Sequence, residues 1–265
     1  MHKCAILLIW IMAITLIVIN SSFSQMEGLI GAWLFDEDSG GEAKDVSGNG
    51  HHGELVGNAT WEKSGRFGSA LSCDGSEAYV MVPDHEDFEF DGNFSIACWF
   101  QNDTPPSDHS GLVTKGYDKP SGAGGDAKPW YLVYFLTSGT VDLYLRDASS
   151  VNSRALGTTP VNDGEWHHVV AMKDGDKVKI YIDGKADAAA DAVDATYGEN
   201  DQPLAFMVHF QRWIKGMMDE VAIFNRALSE DEINQIMNGG LSQSVLAVEP
   251  ADKLAVTWGA LKIAR

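Results

Sequence analysis

Two neighbouring segments in the second half of the chain are the strongest indication of its fold. Residues 162–170 read NDGEWHHVV, and residues 177–185 read KVKIYIDGK. Both are rich in aromatic and β-branched residues, as strands are. Asp174-Gly175 separates them and Asp183-Gly184 closes the second, and both pairs favour tight turns because Asp and Gly accept positive φ at low cost. The sequence therefore predicts consecutive antiparallel hairpins here.

Segments of the same kind recur along the chain, divided by clusters of Gly, Asp and Asn. They are Leu29 to Phe35, Ala78 to Val82, Phe94 to Phe100, Trp130 to Leu136, Val141 to Leu145, Trp166 to Met172, Val178 to Ile182, Leu204 to Phe210 and Met217 to Phe224. Many short strands between turn residues are typical of an all-β sandwich. The 27 Gly and 8 Pro follow no period, which excludes collagen.

One helix is predicted, near the C-terminal end. Ser229 caps it, Glu232 completes a Ser-x-x-Glu capping box and Gly239 ends it. Its apolar stripe consists of Ile233, Ile236 and Met237. We expect this helix to cover one end of the sandwich.

The charge balance limits the classes of partner. Lys and Arg number 19 against 38 Asp and Glu, a formal net charge of −19. Such a surface repels phosphate backbones, which argues against nucleic acid and anionic membranes as partners. Divalent cations and neutral or cationic ligands are favoured instead.

The N-terminal residues predict export. An apolar run from Cys4 to Ile19 is followed by a small polar cluster, Asn20 to Gln25. This pattern is typical of a secretory signal peptide, and Ser22 and Ser24 satisfy the small-x-small rule for cleavage. The alternative is an uncleaved anchor, for which the apolar run is short against the about 20 residues that a span needs. We expect residues 1–24 to be a signal peptide, the mature protein to be secreted or at the cell surface, and no membrane insertion after cleavage.

Two cysteines remain after this cleavage. Cys73 and Cys98 are an even number in an oxidising compartment, which permits one disulfide. Cys98 also lies in the apolar run Phe94 to Phe100, where a free cysteine behaves as a small hydrophobic residue. A disulfide and two buried free thiols both remain open.

One loop carries oxygen ligands at alternate positions. Residues 45–50 read DVSGNG, which resembles the start of a calcium loop, although the Glu of a full EF-hand and its two helices are absent. Because calcium takes six to eight oxygen ligands, Asp45 and Asn49 would need further donors, such as Asp219-Glu220. The alternative is that Asp45 and Asn49 are turn residues that bond their own backbone.

The histidines are weaker metal candidates. His51-His52 and His167-His168 are adjacent pairs, and neighbouring residues of a strand point to opposite faces, so neither pair chelates one ion easily. We expect one histidine of the second pair to pack inward and to form a hydrogen bond in the core.

Catalytic signatures are missing from the sequence, which has neither a His-Glu-x-x-His helix nor a Gly-x-Ser-x-Gly elbow. Some jelly-roll glycoside hydrolases place two acids as Glu-x-Asp-x-x-Glu. Glu89-x-Asp91 and Glu199-x-Asp201 begin that pattern, but Phe94 and Leu204 occupy its last position. Glycoside hydrolysis needs a pair of carboxylates, so we expect no catalytic residues, with a jelly-roll glycoside hydrolase as a remote alternative.

The hairpin of residues 162–185 resembles the central hairpin of laminin G-like, concanavalin A-like domains. Three further blocks agree in order, namely residues 45–53, 65–71 and 219–229. The resemblance implies a two-sheet antiparallel jelly-roll sandwich with one short C-terminal helix. That domain would span residues 25–241, and the tail, residues 242–265, has no assigned role.

The resemblance also implies a function. Such domains serve secreted bacterial proteins chiefly by binding glycans or other extracellular partners, without catalysis, and a structural calcium lies near one rim. Carried over to this chain, the metal ligands would be Asp45, Asn49 and Asp219. The alternative is a cell-surface adhesion domain with a protein partner, which would need a flat apolar patch.

Sugar recognition needs an exposed aromatic ring beside hydrogen-bonding groups, because a pyranose has an apolar face and a polar rim. Four aromatic residues in or near the long loop between Gly116 and Pro129, or between later strands, are candidates. They are Tyr117, Trp130, Tyr131 and Trp213.

Overall fold

The structure is a computed structural model and describes residues 26–117 and 127–244. Within these residues, twenty strands, one 3-10 helix (Glu86–Phe88) and one α-helix follow one another. The strands are β1 Leu29–Trp33, β2 Glu42–Ala43, β3 Gly53–Gly57, β4 Thr60–Glu62, β5 Ala70–Asp74, β6 Ala78–Val82, β7 Phe90–Asp91, β8 Phe94–Gln101, β9 Ser110–Tyr117, β10 Ala127–Phe135, β11 Val141–Arg146, β12 Asn152–Leu156, β13 Trp166–Asp174, β14 Lys177–Ile182, β15 Lys185–Asp191, β16 Thr196–Tyr197, β17 Leu204–Phe206, β18 Val208–His209, β19 Arg212–Trp213 and β20 Lys215–Phe224. The α-helix, α1, is Glu230–Ser244.

Two large antiparallel sheets face each other. Sheet 1 has the order β15-β14-β13-β8-β20-β5-β4, with β1 paired to residues 221–224 of β20. Sheet 2 has the order β12-β11-β10-β9-β17-β6-β3-β2. The described residues also form two two-stranded sheets, β7 with β16 and β18 with β19. This confirms the predicted two-sheet jelly-roll sandwich.

The main core lies between the two sheets, because alternate residues of each strand point inward. In β8, Ile96, Cys98 and Phe100 face this core, whereas Ala97 faces the opposite side. The large side chains buried between the sheets are Trp33, Phe35, Phe88, Phe94, Phe100, Tyr131, Phe135 and Phe206. Full burial of one such ring stabilises the fold by about 1.5–3 kcal/mol.

The predicted hairpins are present. Strand β13 pairs with β14 around Gly175-Asp176, and β14 pairs with β15 around Asp183-Gly184. Asp183 has φ 51° and Gly184 has φ 74°. Positive φ at both central residues is the geometry of a type I′ turn, which matches the twist of the strands.

The capping box of α1 is also as predicted. The Ser229 hydroxyl accepts a hydrogen bond from the Glu232 backbone N–H at 3.3 Å, and the Ser229 N–H donates to the Glu232 carboxylate at 2.9 Å. The regular helix continues to Gly240, one residue beyond the predicted end, where φ 68° breaks it. Glycine adopts this left-handed conformation without strain.

The position of α1 differs from the prediction. The helix lies on the outer face of sheet 1 rather than at one end of the sandwich, because Ile233 and Ile236 pack with Val170, Met172 and Phe224. These three strand residues point away from the main core. Sheet 1 is therefore buried on both faces beneath α1.

The two cysteines are free and buried. Cys73 of β5 lies opposite Gly216 of β20, and β20 in turn separates β5 from β8, which carries Cys98. Strands two places apart in a sheet are separated by about 10 Å, beyond the about 7 Å that a disulfide can bridge between Cα atoms. The structure therefore has two free thiols in place of a bond.

Several predictions concern residues outside the described part. The signal peptide, residues 1–24, lies there, as does the tail from residue 245 onward. The long loop predicted from Gly116 to Pro129 is shorter, because β9 runs to Tyr117 and β10 begins at Ala127. Across residues 26–117 and 127–244, no helix has the length and apolar character that a membrane span requires.

Candidate functional site

The outer face of sheet 2 carries a mixed aromatic and cationic surface. Strands β10, β11 and β12 are paired there so that Trp130 lies opposite Arg146, Leu132 lies opposite Tyr144, and Tyr144 lies opposite Arg154. Directly opposite residues of paired strands point to the same side of a sheet. These five side chains therefore share one face.

A pocket of about 360 Å³ opens on this face, and we call it the aromatic pocket. Its residues come from β10, β11, β12, the turn between β10 and β11, and the segment before β9. They are Asp108, His109, Trp130, Tyr134, Leu136, Thr137, Ser138, Tyr144, Arg146 and Arg154. A volume of this size is at the lower end of the range for small-molecule sites.

The aromatic rings of the pocket support one another. The ring of Trp130 meets the ring of Tyr144 edge to face, with centroids 4.9 Å apart, and Tyr134 lies 6.0 Å from Tyr144. Trp130 and Tyr134 are buried, whereas Tyr144 is half-buried. Tyr144 therefore presents the accessible aromatic surface, and the other two rings hold it in place.

Charged groups surround these rings. The Arg154 guanidinium lies 4.9 Å from the centroid of the Tyr144 ring and also donates to the buried Asp142 carboxylate, at 2.8 Å from Nε. At the other side, Asp108 accepts from Arg212 Nε at 2.8 Å and lies 2.8 Å from the His109 ring. Burial raises the pKa of Asp142, and Arg154 opposes this effect. Three of the five arginines in the described residues, 146, 154 and 212, thus lie in or beside the pocket, although the chain has a net charge of −19.

The four predicted sugar-binding residues lie in different places in the structure. Trp130 lines the aromatic pocket, as its buried floor. The prediction that Tyr131 offers an exposed ring for sugar binding is wrong. Tyr131 points into the main core, where its ring packs against Phe90 and Phe94. The reason is the alternation of β10, in which neighbouring residues face opposite sides. The structure describes Tyr117 as the last residue of β9 but does not describe its side chain.

Trp213 is placed away from the pocket lining. It lies in β19 and packs half-buried against a small cluster formed by Tyr79, Ala205 and Val208. Its ring is therefore held mainly by apolar contacts of sheet 2.

The loop of residues 45–50 closes on itself. Oδ1 of Asp45 accepts from the backbone N–H groups of Ala32 and Ser47, at 3.0 and 2.9 Å. Its Oδ2 accepts from the Ser47 hydroxyl at 2.8 Å and from the His51 N–H at 2.9 Å. Burial acts to raise the pKa of Asp45, but these hydrogen bonds outweigh it and the pKa is lowered. Each oxygen already has two donors, which fits the turn alternative for this residue.

Asn49 likewise holds the loop. Its side-chain amide donates to the carbonyl oxygens of Leu29 and Ile30, at 3.2 and 2.7 Å. Asp45 and Asn49 thus tie residues 45–51 to β1. Their role as calcium ligands stays a prediction.

Asp219 has a different environment. It is fully buried on β20, its Oδ2 accepts from the Phe67 N–H at 2.9 Å, and its Oδ1 has no partner within the described residues. Burial raises its pKa to about 8, and burial raises the pKa of the neighbouring Glu220 to about 7. Of the three predicted calcium ligands, Asp219 therefore has the carboxylate oxygen that lacks a donor.

Asp219 is one end of a buried polar row on the outer face of sheet 1. Trp99 lies opposite Asp219, and His168 lies opposite Trp99. His168 is buried as predicted for one histidine of its pair, but the expected hydrogen bond is wrong, since neither ring nitrogen has a partner in the described residues. Burial lowers its pKa to about 4, so the ring is neutral at pH 7.

The sequence reading missed most of the pocket. Tyr134 and Tyr144 lie in segments whose pattern predicts only strands, whereas His109, Arg146 and Arg154 lie outside the predicted segments. The alternation of β11 contained a usable signal: Val141, Leu143 and Leu145 are apolar, whereas the residues between them are aromatic or charged.

Comparisons with known proteins agree with this architecture. A laminin G model, described as concanavalin A-like lectin/glucanases superfamily, matches residues 74–234. This is more than half of the chain, and the protein belongs to that family. No curated protein sequence matches the chain.

Several solved structures share the fold. The binding domain of Paraclostridial Mosquitocidal Protein 1 is similar at 16% identity and a TM-score of 0.65, over 80% of this chain and 52% of that one. Domain 4 of AbnA, an extracellular arabinanase from Geobacillus stearothermophilus, solved with arabinotriose, is similar at 18% identity and a TM-score of 0.63, over 79% and 98%. The ligand binding domain of botulinum neurotoxin serotype D, solved with N-acetylneuraminic acid, is similar at 13% identity and a TM-score of 0.60, over 81% and 51%. The chain spans about half the length of the toxin domains, and identities this low show the fold alone.

Proposed function

We propose that this protein is a non-catalytic carbohydrate-binding module whose aromatic pocket takes one sugar ring. The observation that carries the proposal is the half-buried ring of Tyr144, backed by Trp130 and flanked by Arg146 and Arg154. The apolar face of a pyranose packs on such a ring, and its hydroxyl groups need the donors and acceptors that lie around it.

The chemistry of the pocket supports binding over hydrolysis. A glycosidase needs two carboxylates about 5–10 Å apart, one of them with a raised pKa. Among the described lining residues, Asp108 is the carboxylate, and a hydrogen bond from the His109 backbone is the main cause that lowers its pKa. Asp142 has a raised pKa, but it is paired with Arg154 and does not line the pocket.

The comparisons support the same class of ligand. One domain with this fold was solved with arabinotriose and another with N-acetylneuraminic acid. The adhesion alternative has less support, since it needs an exposed apolar patch of several hundred Å². Among the described residues, the exposed large apolar side chains are only Val151, Leu156 and Phe210.

Export and a structural calcium belong to this proposal. The signal-like residues 1–24 support secretion. For calcium, the support is the buried Oδ1 of Asp219, which lacks a hydrogen-bond donor, beside the acidic Glu220. Asp219 and Glu220 would supply carboxylate oxygens, and a calcium ion would favour the ionised form of two acids whose pKa burial raises.

A glycan-array screen of the purified mature protein tests the proposal, with and without chelator. The variant Tyr144→Ala removes the accessible ring and is expected to weaken binding by about five- to thirtyfold, the range of an aromatic contact worth about 1–2 kcal/mol. Trp166→Ala is the matched control, because Trp166 is a half-buried aromatic residue of sheet 1. Binding unchanged in Tyr144→Ala, an equal loss in Trp166→Ala, or steady hydrolysis of the bound glycan would contradict the proposal.

A further inference from the structure

Two histidines and an aspartate from separate parts of the chain meet beside the loop of residues 45–50. Nε2 of His51 lies 2.8 Å from Oδ2 of Asp87, and Nδ1 of His85 lies 3.3 Å from the same oxygen. The two imidazole rings have centroids 4.6 Å apart. One ligand atom of each residue lies within 4.8 Å of the other two.

These separations fit one small metal ion. Zinc binds histidine nitrogen at about 2.0–2.1 Å and carboxylate oxygen at about 2.0–2.2 Å in tetrahedral sites, which places neighbouring ligand atoms about 3.4 Å apart. The 3.3 Å separation is close to that value, whereas the 2.8 Å between His51 Nε2 and Asp87 Oδ2 is a hydrogen bond that the ion would replace. His85 Nδ1 also accepts a hydrogen bond from the Asp87 backbone N–H at 3.2 Å, which coordination through Nδ1 would replace.

The surroundings hold one ligand rigidly and leave the other two accessible. The backbone of His51 is fixed on both sides, since its N–H donates to Asp45 and its carbonyl accepts from Trp33 Nε1 at 2.9 Å. Its ring packs against Phe88, with centroids 4.7 Å apart. The side chain of His51 is 5% exposed, whereas those of His85 and Asp87 are 48% and 39% exposed. An ion can therefore reach the exposed His85 and Asp87 from solvent and meet the ring of His51, which is already held in position.

The donor set and the charge select the kind of ion. Two imidazoles and one carboxylate suit zinc and similar divalent transition metals, whereas calcium and magnesium prefer oxygen ligands alone. The segment that carries His85 and Asp87 is acidic, reading DHEDFEFD over residues 84–91. Its field favours any divalent cation near these ligands.

We propose that His51, His85 and Asp87 bind one zinc ion, with a fourth coordination position open to solvent. The ion would join the loop of residues 45–52 to the 3-10 helix, two segments that are distant in sequence. Asp45 would have an indirect role in this site. Its carboxylate accepts hydrogen bonds from the backbone N–H groups of residues 32, 47 and 51, and so fixes the loop that positions the ring of His51. This site shares no ligand with the calcium proposed at Asp219.

The test is a titration of the untagged protein, stripped with chelator, with zinc chloride alone at pH 7.5. The expected result in calorimetry is one saturable site, with weaker binding at pH 5.5, because zinc needs deprotonated imidazole. His85→Ala and Asp87→Asn change exposed residues, so both variants should fold, and each should weaken zinc binding by at least about tenfold.

His109→Ala is the matched control, since His109 is also a partly exposed histidine paired with an aspartate, Asp108. It should bind zinc as the parent protein does, and millimolar calcium should not compete. The proposal is overturned by the absence of saturable zinc binding, by unchanged binding in both His85→Ala and Asp87→Asn, or by an equal loss in His109→Ala.

Discussion

The outer faces of the two sheets differ in what covers them. On sheet 1, α1 packs Ile233 and Ile236 over Phe224 and its neighbours, and a loop closes over the polar row that begins at Asp219. On sheet 2, the corresponding face opens into the aromatic pocket. Both faces carry aromatic and polar residues, so composition does not distinguish them. Within the described residues, α1 thus covers part of the outer face of sheet 1, whereas the aromatic pocket on sheet 2 stays open.

The largest effect is expected from a cavity beneath the helix. Phe224 is fully buried, so Phe224→Ala should lower the free energy of unfolding by about 3–5 kcal/mol. Tyr144→Ala, on the open face, should cost far less stability because Tyr144 is half-buried. Urea denaturation of both variants measures the difference. Equal losses would mean that the two faces are equally structural.

The polar row should make stability depend on pH. Folding raises the pKa of Asp219 to about 8 and that of Glu220 to about 7 through burial, so the folded state holds protons that the unfolded state has released. The buried His168, whose pKa burial lowers to about 4, acts in the opposite direction below about pH 6.5. Without calcium, the contribution of Asp219 and Glu220 to stability is greatest at low pH and falls as pH rises from about 4 to about 8. In Asp219→Asn this slope should be shallower by up to about 1.4 kcal/mol per pH unit.

Denaturation curves from pH 5 to 8 in chelator would measure that slope. Asp176→Asn is the control, because Asp176 lies exposed in a hairpin turn, and it should keep the parent slope. Added calcium at pH 8 should raise the melting temperature of the parent protein but not of Asp219→Asn. An unchanged slope in Asp219→Asn would show that Asp219 is not the responsible group.

The smallest effect concerns the start of the helix. Ser229→Ala removes the hydroxyl that accepts from the Glu232 N–H and should cost about 1 kcal/mol. Ser242→Ala, an exposed position after the break at Gly240, should change the free energy of unfolding little. Thermal denaturation compares the two. A loss in Ser242→Ala as large as in Ser229→Ala would argue against the capping role.

The sequence correctly predicted those turns and caps that depend on residues close together in the chain. The turn at Asp183-Gly184 and the capping box of Ser229 and Glu232 depend on residues a few positions apart, and both are present. Strand β9 was missed because Lys115, buried against Asp84 and two backbone carbonyls, reads as polar. Its partner lies 31 residues away, beyond the reach of any pattern in the strand.

The candidate site was harder to predict, since it depends on which side of a strand a residue faces. Trp130 and Tyr131 are both aromatic, and the sequence could not say that Trp130 faces outward and Tyr131 inward. His51 and Asp87 lie 36 residues apart and meet only when the sandwich closes. Residue types indicated sugar and metal chemistry, while long-range pairing decided which residues share a surface.

Strand β20 stands in the middle of sheet 1 although it is among the last strands of the chain. It pairs with β5 and β8, and also with β1, where Leu29 lies opposite Phe224, 195 positions later (224 − 29). Sheet 1 therefore cannot be completed until the chain has been synthesised through residue 224. Pairings of such long sequence separation make folding slow, and until β20 arrives its neighbours expose unpaired edges that invite self-association.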